Sequence, residues 1–325
     1  VDLDVVFLGT SGSTPTAQRA LAATLVRREG EKLLFDCAEG TQRQLLRSDI
    51  GLPDLADVFL THFHADHYLG LPGMLKTFAL RGREEPLTLH GPPGLDELMG
   101  TLRRIFGKLT YDVRIVELRP GDALERDGYR IGAFATDHGV RGIGYALVED
   151  VRPGAFDVAA ADALGVPAGP ERGALQRGDA VTLADGTVVT PDQVLGAPRR
   201  GRKVVITGDT APCEHVVSAA AGADLLVHEA TFGKDEAERA RETRHSTAGE
   251  AAAVALAADV RLLALTHLSN RYVGPELAAE AQEIFPATVV PRDFDTIEVP
   301  FPERGEPILH ERGARRPRHA VASTS

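Results

Sequence analysis

A chain of 325 residues with 43% hydrophobic content is long enough for one large domain or two modest ones around a substantial core. Its formal charge of −11 weighs against a simple polycationic nucleic-acid binder, although net charge does not say how basic side chains are distributed. Two cysteines exclude a disulfide framework and a zinc site of the CxxC kind, so any metal must be held by histidine and carboxylate.

The amino-terminal VDLDVVFLGT has acids and then a strand, without the basic region and apolar stretch of a secretory signal. No apolar run approaches the roughly 18 to 20 residues that span a bilayer, so a cytoplasmic location without membrane contact is expected. ATLVRR, KLLFDC, DVFLTH and LTLHG follow as short strands punctuated by Gly, Pro, Asp or Thr, with helical periodicity in GTQRQLLRS and PGLDELMGTLRRIF. YRIGAFATDH and GIGYALVE are further strands. From Arg152 to Arg202 the rhythm breaks into a Gly-, Pro- and Ala-rich stretch without a strong apolar period, its six arginines balanced by six acids in an otherwise acidic chain. Excursions of that length are usually functional or mobile. KVVITGD, DLLVHEA and RLLALTH then read as strands, and DEAERARETR, TAGEAAAVALAAD and PELAAEAQEIF as helices. The expectation is an α/β chain in which sheets pack together under helices, with a core domain over residues 1–308, an insert over 152–202 and a basic, disordered tail over 309–325. No internal repeat is visible.

The densest chemistry is THFHADH at 61–67. On extended backbone leaving a buried strand, His62 and His64 point the same way, whereas Asp66 and His67 begin a helix and diverge. That geometry suits two neighbouring ions better than one. A purely structural role would require four polar, titratable groups packed together with nothing to satisfy them, which is electrostatically costly. Candidate partners end other predicted strands: His138 after IGAFATDH, Asp209 after VVITGD and His267 after LLALTH. Seven ligands complete two sites if His62, His64 and His138 hold one ion, Asp66, His67 and His267 the other, and Asp209 bridges them. Histidine favours zinc, and the carboxylates leave Mn2+ or Fe2+ open.

With these residues the chain resembles the metallo-β-lactamase superfamily, and within it the ribonuclease Z family of tRNA 3′-processing endonucleases. Besides THFHADH, the resemblance is carried by FLGTSGSTPT (7–16), LLFDCAEGTQRQL (33–45), LGLPGM (69–74), DHGVRGIGYAL (137–147), GDT (208–210), HEATF (228–232) and HST (245–247), so it covers nearly the whole chain. It implies an αββα sandwich of two mixed sheets flanked by helices, two Zn2+ per subunit, a homodimer, and precursor tRNA as substrate. PAGPERGALQRGDAVTLADG in the insert resembles the flexible arm with which family members grip the tRNA elbow, making Gly169 and Pro170 the expected substrate-binding residues.

For the reaction, two ions about 3.5 to 4 Å apart lower the pKa of a shared water and clamp a phosphate, and Asp66 can also orient that water. His245 is the candidate general acid for the leaving ribose oxygen, because imidazole titrates near neutral pH. Glu229 can orient it and raise its pKa, as the resemblance also implies. By itself His245 reads more readily as a polar residue before the Ser246 or Thr247 cap of the next helix, and it is the company of HEATF and the seven ligand candidates that favours the catalytic role. Asp36 is expected behind a metal ligand, His90 and His228 as structural histidines, and Cys37 and Cys213 as small buried apolar residues. Two other readings stay open: another binuclear hydrolase of the superfamily acting on a small phosphodiester, lactone or thioester, and a non-catalytic RNA-binding subunit. Ala20 after Arg19, and KTFALRG at 76–82, depart from the family pattern and bear on specificity.

Overall fold

The computed structural model describes residues 2–52 and 55–312. The chain opens with strands β1 (Leu3–Gly9), β2 (Ala23–Arg28) and β3 (Glu31–Phe35), helix α1 (Thr41–Arg47) and strand β4 (Asp57–Phe59). Next come α2 (Ala65–Tyr68), α3 (Leu71–Leu80), β5 (Leu87–Gly91), α4 (Leu95–Phe106), β6 (Val113–Glu117), β7 (Ala123–Arg126), β8 (Tyr129–Ala135) and β9 (Ile143–Glu149). Helices α5 (Val158–Ala163) and α6 (Pro170–Arg177) precede the short hairpin β10 (Val181–Thr182) and β11 (Val188–Val189). The remainder runs β12 (Lys203–Ile206), α7 (Glu214–Ala220), β13 (Leu225–Glu229), α8 (Ala237–Thr243), α9 (Ala248–Ala257), β14 (Leu263–Thr266), α10 (Gly274–Gln282), β15 (Thr288–Val289), β16 (Thr296–Glu298) and β17 (Ile308–His310). Among the described residues no helix is long and apolar enough to cross a membrane.

By contacts the described residues divide into two units, those up to 126, 131–147 and from 202 to 312 forming the first and 127–130 with 148–201 the second. In the first, an eight-stranded sheet has the order β17-β16-β1-β2-β3-β4-β5-β6 and a seven-stranded sheet the order β15-β14-β13-β12-β9-β8-β7. β1, β2 and β3 pair antiparallel, β3 to β6 parallel. Alternation along the strands then sorts side chains by face. Leu34, Val58 and Leu89 sit in register and pack with Leu45, Met74, Leu75 and Met99 of α1, α3 and α4. The residues between them, Phe35 and Phe59, stack on each other at 4.9 Å and meet the edge of Tyr145 from the other sheet at 5.5 and 5.3 Å. Tyr145 donates its hydroxyl to the Leu60 carbonyl across that interface at 2.8 Å. The far face of the second sheet, with Val205, Leu226, Leu263 and Leu265, is covered by the alanine-rich α9 together with α7 and α10. The layers are therefore helix, sheet, sheet, helix, the mixed-sheet α/β sandwich expected from the sequence.

The second unit gives the insert a fold of its own. The Asp157 carboxylate caps α5 by accepting from Ala160 N at 2.9 Å, Pro170 opens α6, and Gly178 ends it at φ 101°. Ala161, Val166, Leu175, Val189 and Val194 are buried together. These helices were not anticipated, because their six and eight residues are mostly small or polar and carry little apolar period. The expected tail boundary also moves. Leu309 and His310 belong to β17, which pairs antiparallel with β16, while residues 313–325 lie outside the described residues.

Candidate metal centre

Parallel strands end together, so the residues that follow them converge on one edge of the sandwich. β3 leads to Asp36, β4 to His62 and His64, β8 to His138, β12 to Asp209 and β14 to His267, while β13 closes on Glu229. His64 is still extended at φ −74°, ψ 146° before α2 places Asp66 and His67.

One carboxylate oxygen lies at the middle. Asp209 Oδ2 is 3.3 Å from His67 Nε2, 3.3 Å from His267 Nε2, 3.6 Å from His138 Nε2 and 3.7 Å from His62 Nε2. His64 Nδ1 is 3.1 Å from His138 Nε2, and Asp66 Oδ2 is 3.4 Å from His267 Nε2 and 3.8 Å from His67 Nε2. The candidate donor atoms of His62, His64, His138 and Asp209 all fall within 4.8 Å of one another, as do those of Asp66, His67 and His267. These are the two groups expected from spacing, with Asp209 close to both.

The donor set fits divalent cations. Four ligands about 2.1 Å from a tetrahedral zinc lie about 3.4 Å apart, and the separations above bracket that value. His62 Nε2 and Asp209 Oδ1 are buried without a hydrogen-bond partner, the kind of orphaned polar atom that an ion satisfies. The electrostatics agree. Burial opposes charge on His62 and, with the neighbouring His67, drives its pKa well down. Burial also opposes charge on Asp209, yet His267 and His67 outweigh it and hold the carboxylate ionised. On His67 burial is overcome by Asp209 and Asp36, which push its pKa well up, so these carboxylates favour positive charge at this position.

Behind these atoms lies a second tier of contacts. Asp36, at φ 58°, stands 2.7 Å from His67 Nδ1 and accepts from Thr61 N and Oγ1. Thr61 Oγ1 is also 3.1 Å from His62 Nδ1. The Arg244 carbonyl accepts from His138 Nδ1 at 2.9 Å, with Arg244 itself left-handed at φ 53°. Thr231 Oγ1 is 2.9 Å from His267 Nδ1 and donates to Glu229 Oε2 at 2.7 Å. Gly12 lies so close to His267 that a Cβ would stand 2.5 Å from its Nδ1. Ser13 N donates to Asp66 Oδ2 at 2.8 Å. Sequence reasoning assigned none of Thr61, Thr231, Arg244, Gly12 or Ser13, although the two threonines stand inside THFHADH and HEATF. For Thr61 the available signal was its place directly before His62; Thr231 meets His267 from 36 positions away and left none.

His245 stands at the rim with its Nδ1 2.7 Å from Glu229 Oε1 and 4.0 Å from Asp209 Oδ2. A third donor grouping of Asp209, His245 and His267 falls within the same 4.8 Å limit, but the short bond to Glu229 occupies Nδ1 and leaves Nε2 for chemistry. Burial lowers the His245 pKa, and the Glu229 charge and hydrogen bond reverse that and raise it to about 9. Glu229 is fully enclosed and accepts from Thr210 N and Thr231 N at 3.0 Å, so its carboxylate cannot swing away. Position is set by the next helix: Thr247 and Glu250 form a reciprocal cap on α9 at 3.1 and 2.9 Å, anchoring the chain two residues after His245. Gly169 and Pro170 open α6 in the second unit. His90 pairs with Asp57 at 2.7 Å under Phe59, His228 is enclosed against the Glu229 carbonyl, and Cys37 is buried. Cys213, expected to be buried, is half-buried at the start of α7, where it precedes the helix instead of packing inside it.

With that geometry in place, comparison with known proteins is informative. The profile of the metallo-beta-lactamase superfamily matches residues 19–227. The chain is 51% identical to the ribonuclease Z of Myxococcus xanthus over 303 residues, covering 92% of this chain and 98% of the relative. It is 48% identical to the ribonuclease Z of Natronomonas pharaonis over 308 residues, covering 93% of this chain and 100% of the relative. Among solved structures, the short form of human tRNase Z superposes with a TM-score of 0.67 at 27% identity, covering 91% of this chain and 99% of that one.

The raised pKa of His245 has a sign that can be measured. A charge–charge contribution from the His245–Glu229 pair is present between the ordinary glutamate value of 4.5 and the ordinary histidine value of 6.5, and is lost as pH rises through about 9. In metal-free protein, an NMR titration should find His245 half-protonated near pH 9, and Glu229→Gln should lower that midpoint clearly, because burial is then opposed only by the more distant Asp209 and Asp66 charges. A variant that still titrates near 9 would remove Glu229 as the cause.

Proposed function

The chain belongs to the metallo-beta-lactamase superfamily and, within it, to the ribonuclease Z family, and on that footing we propose that it is a tRNA 3′-processing endoribonuclease that hydrolyses one phosphodiester of precursor tRNA. The observation that carries this reading is the near full-length identity of 45–51% to ribonuclease Z relatives in a chain whose seven His and Asp candidates converge at one sandwich edge.

His62, His64 and His138 would hold one divalent cation, Asp66, His67 and His267 a second, with Asp209 between them and zinc preferred over Mn2+ or Fe2+ by the imidazole donors. Such a pair supplies Lewis acidity, neutralising the scissile phosphate and lowering the pKa of the attacking water. The side chains do the rest. Asp66 is held by Ser13 N on one oxygen, Oδ2, and can accept a hydrogen bond from the water and aim it at phosphorus. As the oxygen of that water, its proton released to solvent, bonds to phosphorus, the bond to the ribose 3′-oxygen breaks. His245 Nε2 gives its proton to that oxygen, and Glu229 keeps the imidazolium charged beforehand. The products are a tRNA with a 3′-hydroxyl and a trailer with a 5′-phosphate. The insert over 152–202, with Gly169 and Pro170 at the start of α6, would grip the substrate elbow, and a homodimer in the cytoplasm is the expected working form.

Incubation of purified protein with a trailer-bearing precursor should yield those ends, and a chelator should abolish the cut; a 5′-hydroxyl on the trailer would sink the mechanism. Because His245 Nδ1 is engaged by Glu229, His245→Ala should lower turnover about 100-fold or more while elemental analysis finds the metal content unchanged. Loss of metal in that variant would move His245 into the ligand set. Deleting residues 155–195 should eliminate precursor cleavage but preserve hydrolysis of bis(p-nitrophenyl) phosphate, and precursor cleavage that survives would refute the role given to the insert.

A further inference from the structure

We infer that a second phosphate-binding site for the RNA substrate lies beside the metal centre, in a cavity of about 360 Å3 lined by Arg19, Arg43, Arg47, Phe294 and Arg312. The inference rests on the ribonuclease Z reading and deepens it, because it says where an acidic chain gathers positive charge against a polyanion.

Arginine in this cavity is unusually uncommitted. Arg43, Arg47 and Arg312 are exposed, and among the described residues none of the three makes an ion pair with a carboxylate, although the chain carries 47 acids against 36 Lys and Arg. Arg47 donates only to the neutral amide of Gln44, at 3.0 Å. Its guanidinium and that of Arg312 lie 5.3 and 4.2 Å from the centroid of Phe294. Arg19 forms the wall, donating to Thr10 Oγ1 at 2.6 Å and the Pro291 carbonyl at 2.9 Å. Two carboxylates also line the cavity, Glu39 and Asp293, and the oxygens of Asp293 are turned to Thr10 Oγ1, Ala20 N and Gln44 Nε2, so four guanidinium groups face two competing charges. Phe294 is held at φ 75°, a left-handed conformation costly for an aromatic residue and commonest where backbone strain serves a site. Guanidinium groups around an aromatic ring match a phosphate with its stacked base.

The cavity is joined to the metal centre through the chain itself. Pro15 and Thr16 line it, while Ser13 N holds Asp66 and Gly12 abuts His267. Glu39 and Gly40 line its other side, three and four residues beyond Asp36, which holds His67. Such chain lengths reach on the order of 10 Å. Along a strand the axial rise is about 3.4 Å per nucleotide, so a reach of that order is at most about three nucleotides. The occupant is therefore a single-stranded stretch of the precursor next to the cut.

The test uses the holoenzyme, with Arg43→Gln/Arg47→Gln as the cavity variant and Arg103→Gln/Arg104→Gln on the exposed face of α4 as a control of equal charge change. KM and kcat on a trailer-bearing precursor are measured over roughly 50 to 200 mM salt, with bis(p-nitrophenyl) phosphate turnover reporting the fold and the metal centre. The cavity variant should raise KM about 10-fold with kcat within about twofold, and flatten the slope of log kcat/KM against log salt by about one. Phe294→Leu should raise KM about threefold through lost stacking. An unchanged KM and salt slope in the cavity variant would overturn the proposal, as would an equal rise in the control. If the cavity variant loses only competition by inorganic phosphate while precursor KM stays put, the site belongs to free phosphate and the RNA assignment fails. Failure of wild-type protein to cut the precursor at all would refute the underlying reading, an outcome distinct from any of these.

Discussion

Asp209 is the constraint on which the rest of this structure depends. Its enclosed carboxylate has one oxygen within 3.3–3.7 Å of four imidazole nitrogens, drawn from segments that follow β4, β8 and β14 and from α2. A buried charge of that kind is tolerable only when opposite charge is fixed around it. The surrounding histidines can provide that charge only as protons or as ligands of a cation. Every element that brings a histidine to this edge therefore contributes to satisfying one oxygen, and the edge is stable as a set more than as separate residues.

Rigidity comes from the tier behind. Each imidazole that faces Asp209 has its other nitrogen near an acceptor or donor in the fold: Asp36 for His67, Thr61 for His62, the Arg244 carbonyl for His138, Thr231 for His267. Such contacts fix the tautomer and the ring plane before any ion arrives. Thr231 also touches Glu229 and His245, so the orientation of a candidate ligand and of the candidate acid are linked through one hydroxyl. Three of these positions, Asp36, Arg244 and His267, are non-glycine residues at positive φ, and their backbone cost is borne where the chain must turn sharply to aim a side chain.

Legibility in the sequence followed the physics of each element. The ten strands inferred from apolar runs all exist, because strands buried between helices and a second sheet must be apolar along their length. Val113–Glu117 and Ala123–Arg126 escaped notice since their burial is only partial, and Thr288–Val289, Thr296–Glu298 and Ile308–His310 are too short to show a period. The insert escaped for a different reason: a core of five small or medium apolar residues leaves little pattern in a stretch rich in Gly and Pro.

By itself the sequence determined the layered α/β class and singled out seven His and Asp side chains as candidates, and extended and helical backbones dictate which neighbours in THFHADH share a direction. Tertiary structure alone decided that Asp209 stands among all of them, that Glu229 takes His245 Nδ1, and that arginines from α1 and the segment after β17 surround Phe294. These contacts join residues from 16 positions apart, as in Glu229 and His245, to more than 200, as in Arg47 and Phe294. No local period encodes them; they exist because parallel strands end at one edge and the loops beyond those ends are forced into the same few ångströms.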